Sequence, residues 1–217
     1  MNSPIVREKI TNFLKDFKEQ KYNKKEIIIK PDDEPEVVYC ILEGAVRMYA
    51  VSANGEELVI NTFKPFAYFP MGWVLNDIVP RHYYEAMDPV VLKKVSKTAF
   101  LEFIQANPEV LMELTKRIYY GLEGYFTRME YLMSGNASAR LITELLILGK
   151  RFGVTGNNET VVSLKLTEKD LAALTGITRE TVSRELNKLK IKGLVSLNKN
   201  ILTVSDMGLL ERELSPS

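Results

Sequence analysis

The sequence predicts an α+β protein in three parts. An N-terminal β-roll of the cupin-like jelly-roll kind spans 1–107, a long dimerisation helix spans 108–134, and a C-terminal winged helix-turn-helix spans 135–217. Three observations predict it. From Glu26 to about Val95, short apolar runs are broken by turn residues at close spacing, as in a sandwich or barrel. After Asn107-Pro108 a helical stretch carries apolar residues at a coiled-coil repeat. Further on, two short helical segments joined through a glycine precede two strands around Asn198-Lys199-Asn200.

The bulk numbers permit this. The 217 residues, 46% hydrophobic and 26% charged, suffice for two modest cores and have the balance of an ordinary soluble protein. The longest apolar runs, such as Val37 to Leu42, fall far short of the roughly 20 residues that cross a bilayer, so no membrane partner is expected. Residues 1–9 lack the apolar stretch of a secretory signal, and a cytoplasmic location follows as the expectation. Cys40 is the only cysteine; it cannot pair within the chain or hold an iron-sulfur cluster by itself, and its apolar surroundings predict a core position. The net charge of +1 carries no global signal, but Val161 to Asn200 holds eight Lys or Arg against four acids. The basic excess is local.

Taken in order, an amphipathic helix from about Val6 to Gln20 enters the roll. Strands follow over Ile27–Ile29, Val37–Leu42, Ala45–Val51 and Glu57–Phe63. Asn54-Gly55 between the last two is a hairpin signal, because glycine takes positive φ without steric cost. Lys97 to Ala106 reads as a helix, with Asn107 placed to cap the next one and Pro108 at its first position. In that long helix Leu111, Leu114, Ile118, Leu122, Tyr125, Met129 and Leu132 are spaced 3, 4, 4, 3, 4 and 3, a seam suited to a second copy of the helix. A core stripe within one chain is the alternative. A further amphipathic helix spans Ala137 to Phe152, a glycine- and asparagine-rich loop 153–159, and a strand Val161 to Leu166.

The segment from Leu166 to Leu186 carries the functional signal. Thr167 can cap a first helix, Gly176 can supply the positive φ of a turn, and Thr178 can cap a second helix. Ile177 and Val182 join Leu171, Leu174, Leu186 and Leu189 on the inner face. Arg179, Glu180, Ser183 and Arg184 are left exposed on the second helix. Arginine can bond two acceptors of guanine, glutamate can accept from cytosine, and serine serves either role. Thr181, Lys188, Lys190 and Lys199 suit phosphates, which position a protein without reporting sequence, and the capping threonines Thr167 and Thr178 are candidate DNA contacts beside them. A helical hairpin whose charges merely face water would lack this coincidence of caps, glycine and wing.

Arg179-Glu180-Thr181-Val182-Ser183-Arg184 resembles the start of the recognition helix in the CRP/FNR family of bacterial regulators. Asn107 through Lys150 resembles that family's dimer helix and its successor, and Glu43 through Glu57 resembles its β-roll. The resemblance implies a homodimer on double-stranded DNA, with Arg179, Glu180 and Arg184 reading bases on a two-fold site, and RNA polymerase as a further candidate partner. Ser183 matches a base-reading serine of the FNR-like branch.

The sensor half departs from the family's cyclic-nucleotide binders. Their Gly-Glu-Leu turn and Arg-Ser-Ala run are replaced by Phe69-Pro70-Met71-Gly72-Trp73 and Pro80-Arg81-His82-Tyr83-Tyr84. Tyr125-Phe126 replaces the Thr-Ser pair that holds the base. This argues against cyclic AMP and leaves open a small-molecule effector of another kind; the alternatives are a ligand-independent regulator and a small-molecule-binding module whose DNA domain has lost its role. Tyr68, Phe69, Trp73, Tyr83 and Tyr84, with Tyr125 and Phe126, could line a pocket between roll and helix, where Arg81 and His82 would supply polar contacts. The alternative is that these rings are core and Arg81 a solvated charge. His82 is the only histidine, so a multi-histidine metal site within one chain is excluded. No phosphate loop, nucleophile elbow or metalloprotease motif appears, so no enzymatic activity is expected.

Overall fold

The structure is a computed structural model that describes residues 4–156 and 159–214, with the side chains of 132–134 outside the description. Two compact units emerge. The first runs to Ala50 and resumes over Ile60–Tyr120; the second takes Val51–Val59 and everything from Gly121 onward.

In the first unit α1 (Pro4–Leu14) buries Val6, Ile10 and Leu14, one per turn. It ends at Leu14; beyond it Lys93 Nζ donates to the carbonyl of Phe17 at 2.8 Å, and the chain then forms β1 (Glu19–Tyr22). The helix expected to reach Gln20 therefore stops early. Glu19-Gln20-Lys21-Tyr22 is compatible with a helix by composition, but it pairs antiparallel with β8 (Val90–Val95), and this non-local pairing decides the matter. The other strands are β2 (Ile27–Ile29), β3 (Val38–Glu43), β4 (Val46–Val51), β5 (Glu57–Phe63), β6 (Tyr68–Phe69) and β7 (Tyr83–Ala86), with a short helix α2 (Met71–Asn76) after β6. They form two four-stranded sheets, β1-β8-β3-β6 and β2-β7-β4-β5.

Between the sheets lie Ile41, Val46, Phe69, Tyr84, Ala86 and Leu92, all buried. Rings fill much of this layer: Phe69 stacks with Tyr84 at 5.2 Å and with Tyr39 at 5.3 Å, and Phe63 stacks with Tyr84 at 5.8 Å. A second cluster joins the inner face of α1 to Phe100 and Ile104 of α3 (Lys97–Ala106) and to Val110 and Leu114 of α4 (Pro108–Ser134), with Cys40 inside it. Fully burying one such side chain contributes about 1.5–3 kcal/mol. Burial pushes the Cys40 thiol up to about 12. Asn107 precedes α4 as expected, but its side chain donates to Phe103 O at 2.8 Å and accepts from Lys9 at 3.0 Å, closing α3 rather than capping α4.

Along α4 two faces separate. Val110, Leu114, Arg117, Gly121, Gly124, Arg128 and Tyr131 turn inward, while Leu111, Ile118, Leu122, Phe126 and Met129 are exposed. Leu114, placed by sequence on a seam for a second copy, instead packs in the core of its own unit, and Tyr125 is half-buried. The 3.5-residue spacing runs diagonally across both faces. Leu132 lies outside the described side chains.

In the second unit α5 (Ala137–Phe152) is capped by Asn136, which accepts from Ala139 N, and buries Leu141, Leu145, Leu148 and Phe152 among others. Residues 153–156 form a strand, β9 (Gly153–Gly156), rather than loop, paired with β10 (Glu159–Lys165); Asn157 and Asn158 lie outside the described residues. Helices α6 (Glu168–Thr175) and α7 (Arg179–Ile191) follow, then β11 (Val195–Asn198), β12 (Ile201–Val204) and a short α8 (Met207–Arg212). The sheet order β11-β12-β10-β9 completes a winged helix-turn-helix.

Candidate nucleic-acid interface

The site is built on the α6-turn-α7 segment. Thr167 and Asp170 form a reciprocal cap: Asp170 N donates to Thr167 Oγ1 at 3.2 Å, and Thr167 N donates to Asp170 Oδ2 at 2.8 Å. The Thr167 hydroxyl also donates to the same carboxylate at 2.7 Å. Gly176 closes α6 at φ +64, a left-handed conformation that favours glycine. Thr178 then starts α7 by accepting from Thr181 N at 3.3 Å.

Leu171, Leu174, Val182, Leu186 and Leu189 are buried, so the inner face of both helices is apolar as predicted. Ile177 is half-buried. The outward face of α7 presents Arg179, Glu180 and Arg184 exposed, with Thr181 and Ser183 half-buried beside them. Arg179 Nε lies 3.7 Å from Glu168 Oε2, and Arg184 Nε donates to Glu185 Oε1 at 3.2 Å. Both arginines thus rest on carboxylates while more than half exposed, at 69% and 64% of their side chains. Lys188 is exposed one turn further on. Lys199 sits at φ +48 in the β11–β12 turn, the tip of the wing, and Asn200 O accepts from Leu166 N at 2.8 Å.

Glu185 does not stand out in the sequence. It carries the buried acid of α7 and accepts from both Arg184 and Lys188. Its i−1 and i+3 spacing to the two bases is the available signal, but an acid beside basic residues reads first as a solvated charge.

Of the residues expected to line a ligand pocket, Phe69 and Tyr84 stack at 5.2 Å and the others take different settings within their own units. Tyr68 tilts against Phe100 at 4.7 Å in the first unit's helix-side cluster, and Trp73 packs on that cluster with Lys97 over its ring at 4.9 Å. Phe69 and Tyr84 lie in the layer between the sheets. Tyr83 stacks on Tyr49 at 5.1 Å; alternation along β7 puts it on the face opposite Tyr84. Arg81 is exposed and His82 half-buried in the loop before β7. Tyr125 and Phe126 belong to the second unit, where burial pushes the Tyr125 hydroxyl up and Phe126 is 53% exposed. Tyr83 and Tyr84 are neighbours in sequence, but strand alternation sends them to opposite faces of the sheet. Among the described residues no cluster of His, Cys, Asp and Glu is arranged to hold a metal ion, and no helix is long and apolar enough to cross a membrane.

Residues 19–107 match the family model described as a cyclic nucleotide-binding domain, and residues 139–213 match the Crp-like helix-turn-helix domain, in the same order as in the fold above. The chain belongs to the CRP/FNR family of transcription regulators. CRP/FNR relatives include the global nitrogen regulator of Nostoc sp., 28% identical over 194 residues, covering 88% of this chain and 87% of that one. The cAMP-activated global transcriptional regulator CRP of Pasteurella multocida is 23% identical, covering 93% of this chain and 97% of that one. Among solved structures, a CooA variant from Carboxydothermus hydrogenoformans superposes with a TM-score of 0.80 at 23% identity, covering 99% and 97% of the two chains, which establishes the CRP/FNR fold. As a CRP/FNR member the chain is a DNA-binding transcription regulator rather than an enzyme.

Proposed function

We propose that this regulator binds a two-fold symmetric DNA site as a homodimer, with α7 of each copy in the major groove. The carrying observation is the outward face of α7: Arg179, Glu180 and Arg184 are exposed on a helix whose opposite face is buried and whose start is fixed by Thr178. Arg179, Glu180 and Arg184 read base edges with Ser183 beside them, while Thr181, Lys188 and Lys199 meet phosphates. Thr167 contributes chiefly as a cap, since its hydroxyl is already engaged.

The exposed stripe of Leu111, Ile118, Leu122, Phe126 and Met129 supports pairing through the segment 108–134, between a sensor segment 1–107 and a DNA-reading segment 135–217. Such a stripe is costly to leave in water and is suited to a second copy of itself. The replacement of the nucleotide-cradling runs by Phe69-Pro70-Met71-Gly72-Trp73 and Pro80-Arg81-His82-Tyr83-Tyr84 supports an effector other than cyclic AMP, which would shift the population of the DNA-competent arrangement. RNA polymerase is the candidate partner at a promoter.

Selection from a random duplex pool should return a palindromic site. On that site Arg179→Ala should weaken binding about 5- to 160-fold, the ~1–3 kcal/mol of a bidentate base contact, with little change on nonspecific DNA. A protein that enriches no sequence from the pool refutes the reading.

A further inference from the structure

Glu185 lies in the middle of α7, between the two exposed bases of the reading face. Its side chain is 6% exposed, against 64% for Arg184 and 61% for Lys188. The other buried residues of α7 are Val182, Leu186 and Leu189, so packing alone would place a hydrocarbon at this position. A buried carboxylate is strongly disfavoured unless it is paired. Here it is paired twice: Oε1 accepts from Arg184 Nε at 3.2 Å, and both oxygens accept from Lys188 Nζ, at 2.9 and 3.0 Å. Burial pushes the carboxyl up, but the hydrogen bonds from Lys188 and then Arg184 outweigh it and hold the group below the ordinary glutamate range.

The arrangement has two consequences for reading DNA. A guanidinium held by its Nε has lost much of the freedom of its outer torsions, while its two Nη groups remain available as the parallel pair that guanine O6 and N7 accept. Lys188, engaged by both oxygens, is less available to an arbitrary phosphate, so the acid also trims the sequence-independent part of binding.

We propose that Glu185 is a specificity-determining positioning residue, which aims Arg184 at one base pair and offsets the charge of Lys188. The proposal rests on the reading of Arg184 as a base contact, and the test separates the two.

In the full chain on the selected duplex, Arg184→Ala first identifies the base pair whose exchange no longer matters. If discrimination survives at every position, the assignment of Arg184 fails and the proposal falls with it. Given such a base pair, Glu185→Gln is expected to lower discrimination there at least fivefold and to leave discrimination at the Arg179 base pair unchanged. It should also tighten binding to nonspecific duplex and steepen its salt dependence by about one phosphate contact. Glu185→Leu, which packs as its neighbours do without a carboxylate, should behave alike. Unchanged discrimination at the Arg184 base pair overturns the proposal, and so does an equal loss at both base pairs in both variants, since that reports a disordered helix.

Discussion

Arg128 on α4 and Glu144 on α5 meet as a two-pronged pair, with Nε donating to Oε2 at 2.8 Å and Nη2 to Oε1 at 2.7 Å. Glu144 is 2% exposed at its side chain and Arg128 15%, so neither charge can return to water when the other is removed. Arg128→Ala is expected to destabilise the second unit by about 3–5 kcal/mol, because a buried carboxylate is left without its partner. The double variant Arg128→Met with Glu144→Leu should recover most of that loss. Chemical denaturation followed by near-ultraviolet dichroism measures both; a single variant as stable as the parent would mean that the pair is solvated in solution.

A different ion pair ties α1 to α4 at the surface. Lys9 bonds both the Glu109 carboxylate and Asn107, and Glu109 is held below its ordinary value of 4.5, first by the Lys9 hydrogen bond and next by a backbone one. A carboxyl whose folded pKa is lowered stabilises the fold above its unfolded pKa and loses that contribution as pH falls through the folded value. The melting temperatures of the parent and Lys9→Ala should therefore differ at neutral pH and converge as pH falls below 4.5. A gap that widens on acidification contradicts the pairing.

Much of this architecture is legible because the signals are local. The helices over 97–106 and 137–152 and the strands over 57–63 and 201–204 are placed to the residue by their flanking caps, turns and periodicity. The signals fail where partners are distant in sequence. Tyr22 sits in a strand because β8 is beside it, and Leu114 is core because α1 covers it. On α7 the exposed arginines are readable from the buried leucines around them. Glu185 is not, because its role depends on side-chain pairing that a residue count registers only as charge.

Thr167 gives the clearest separation between a structural and a contacting role. The sequence suggests that it both caps α6 and touches DNA, but its hydroxyl is occupied by the cap, since Oγ1 accepts from Asp170 N at 3.2 Å and donates to Asp170 Oδ2 at 2.7 Å. Removing a threonine cap costs about 1 kcal/mol, within a range of roughly 0.5–2. Thr167→Ala should therefore lower the stability of the winged helix-turn-helix by that amount, and Thr167→Ser, which keeps the oxygen, should restore it. Since the cap fixes the first turn of α6 and leaves the face of α7 unchanged, DNA affinity measured well below the melting temperature should fall less than threefold in Thr167→Ala, with an unchanged salt slope. A salt slope reduced by about one contact at unaltered stability would instead place this hydroxyl on a phosphate.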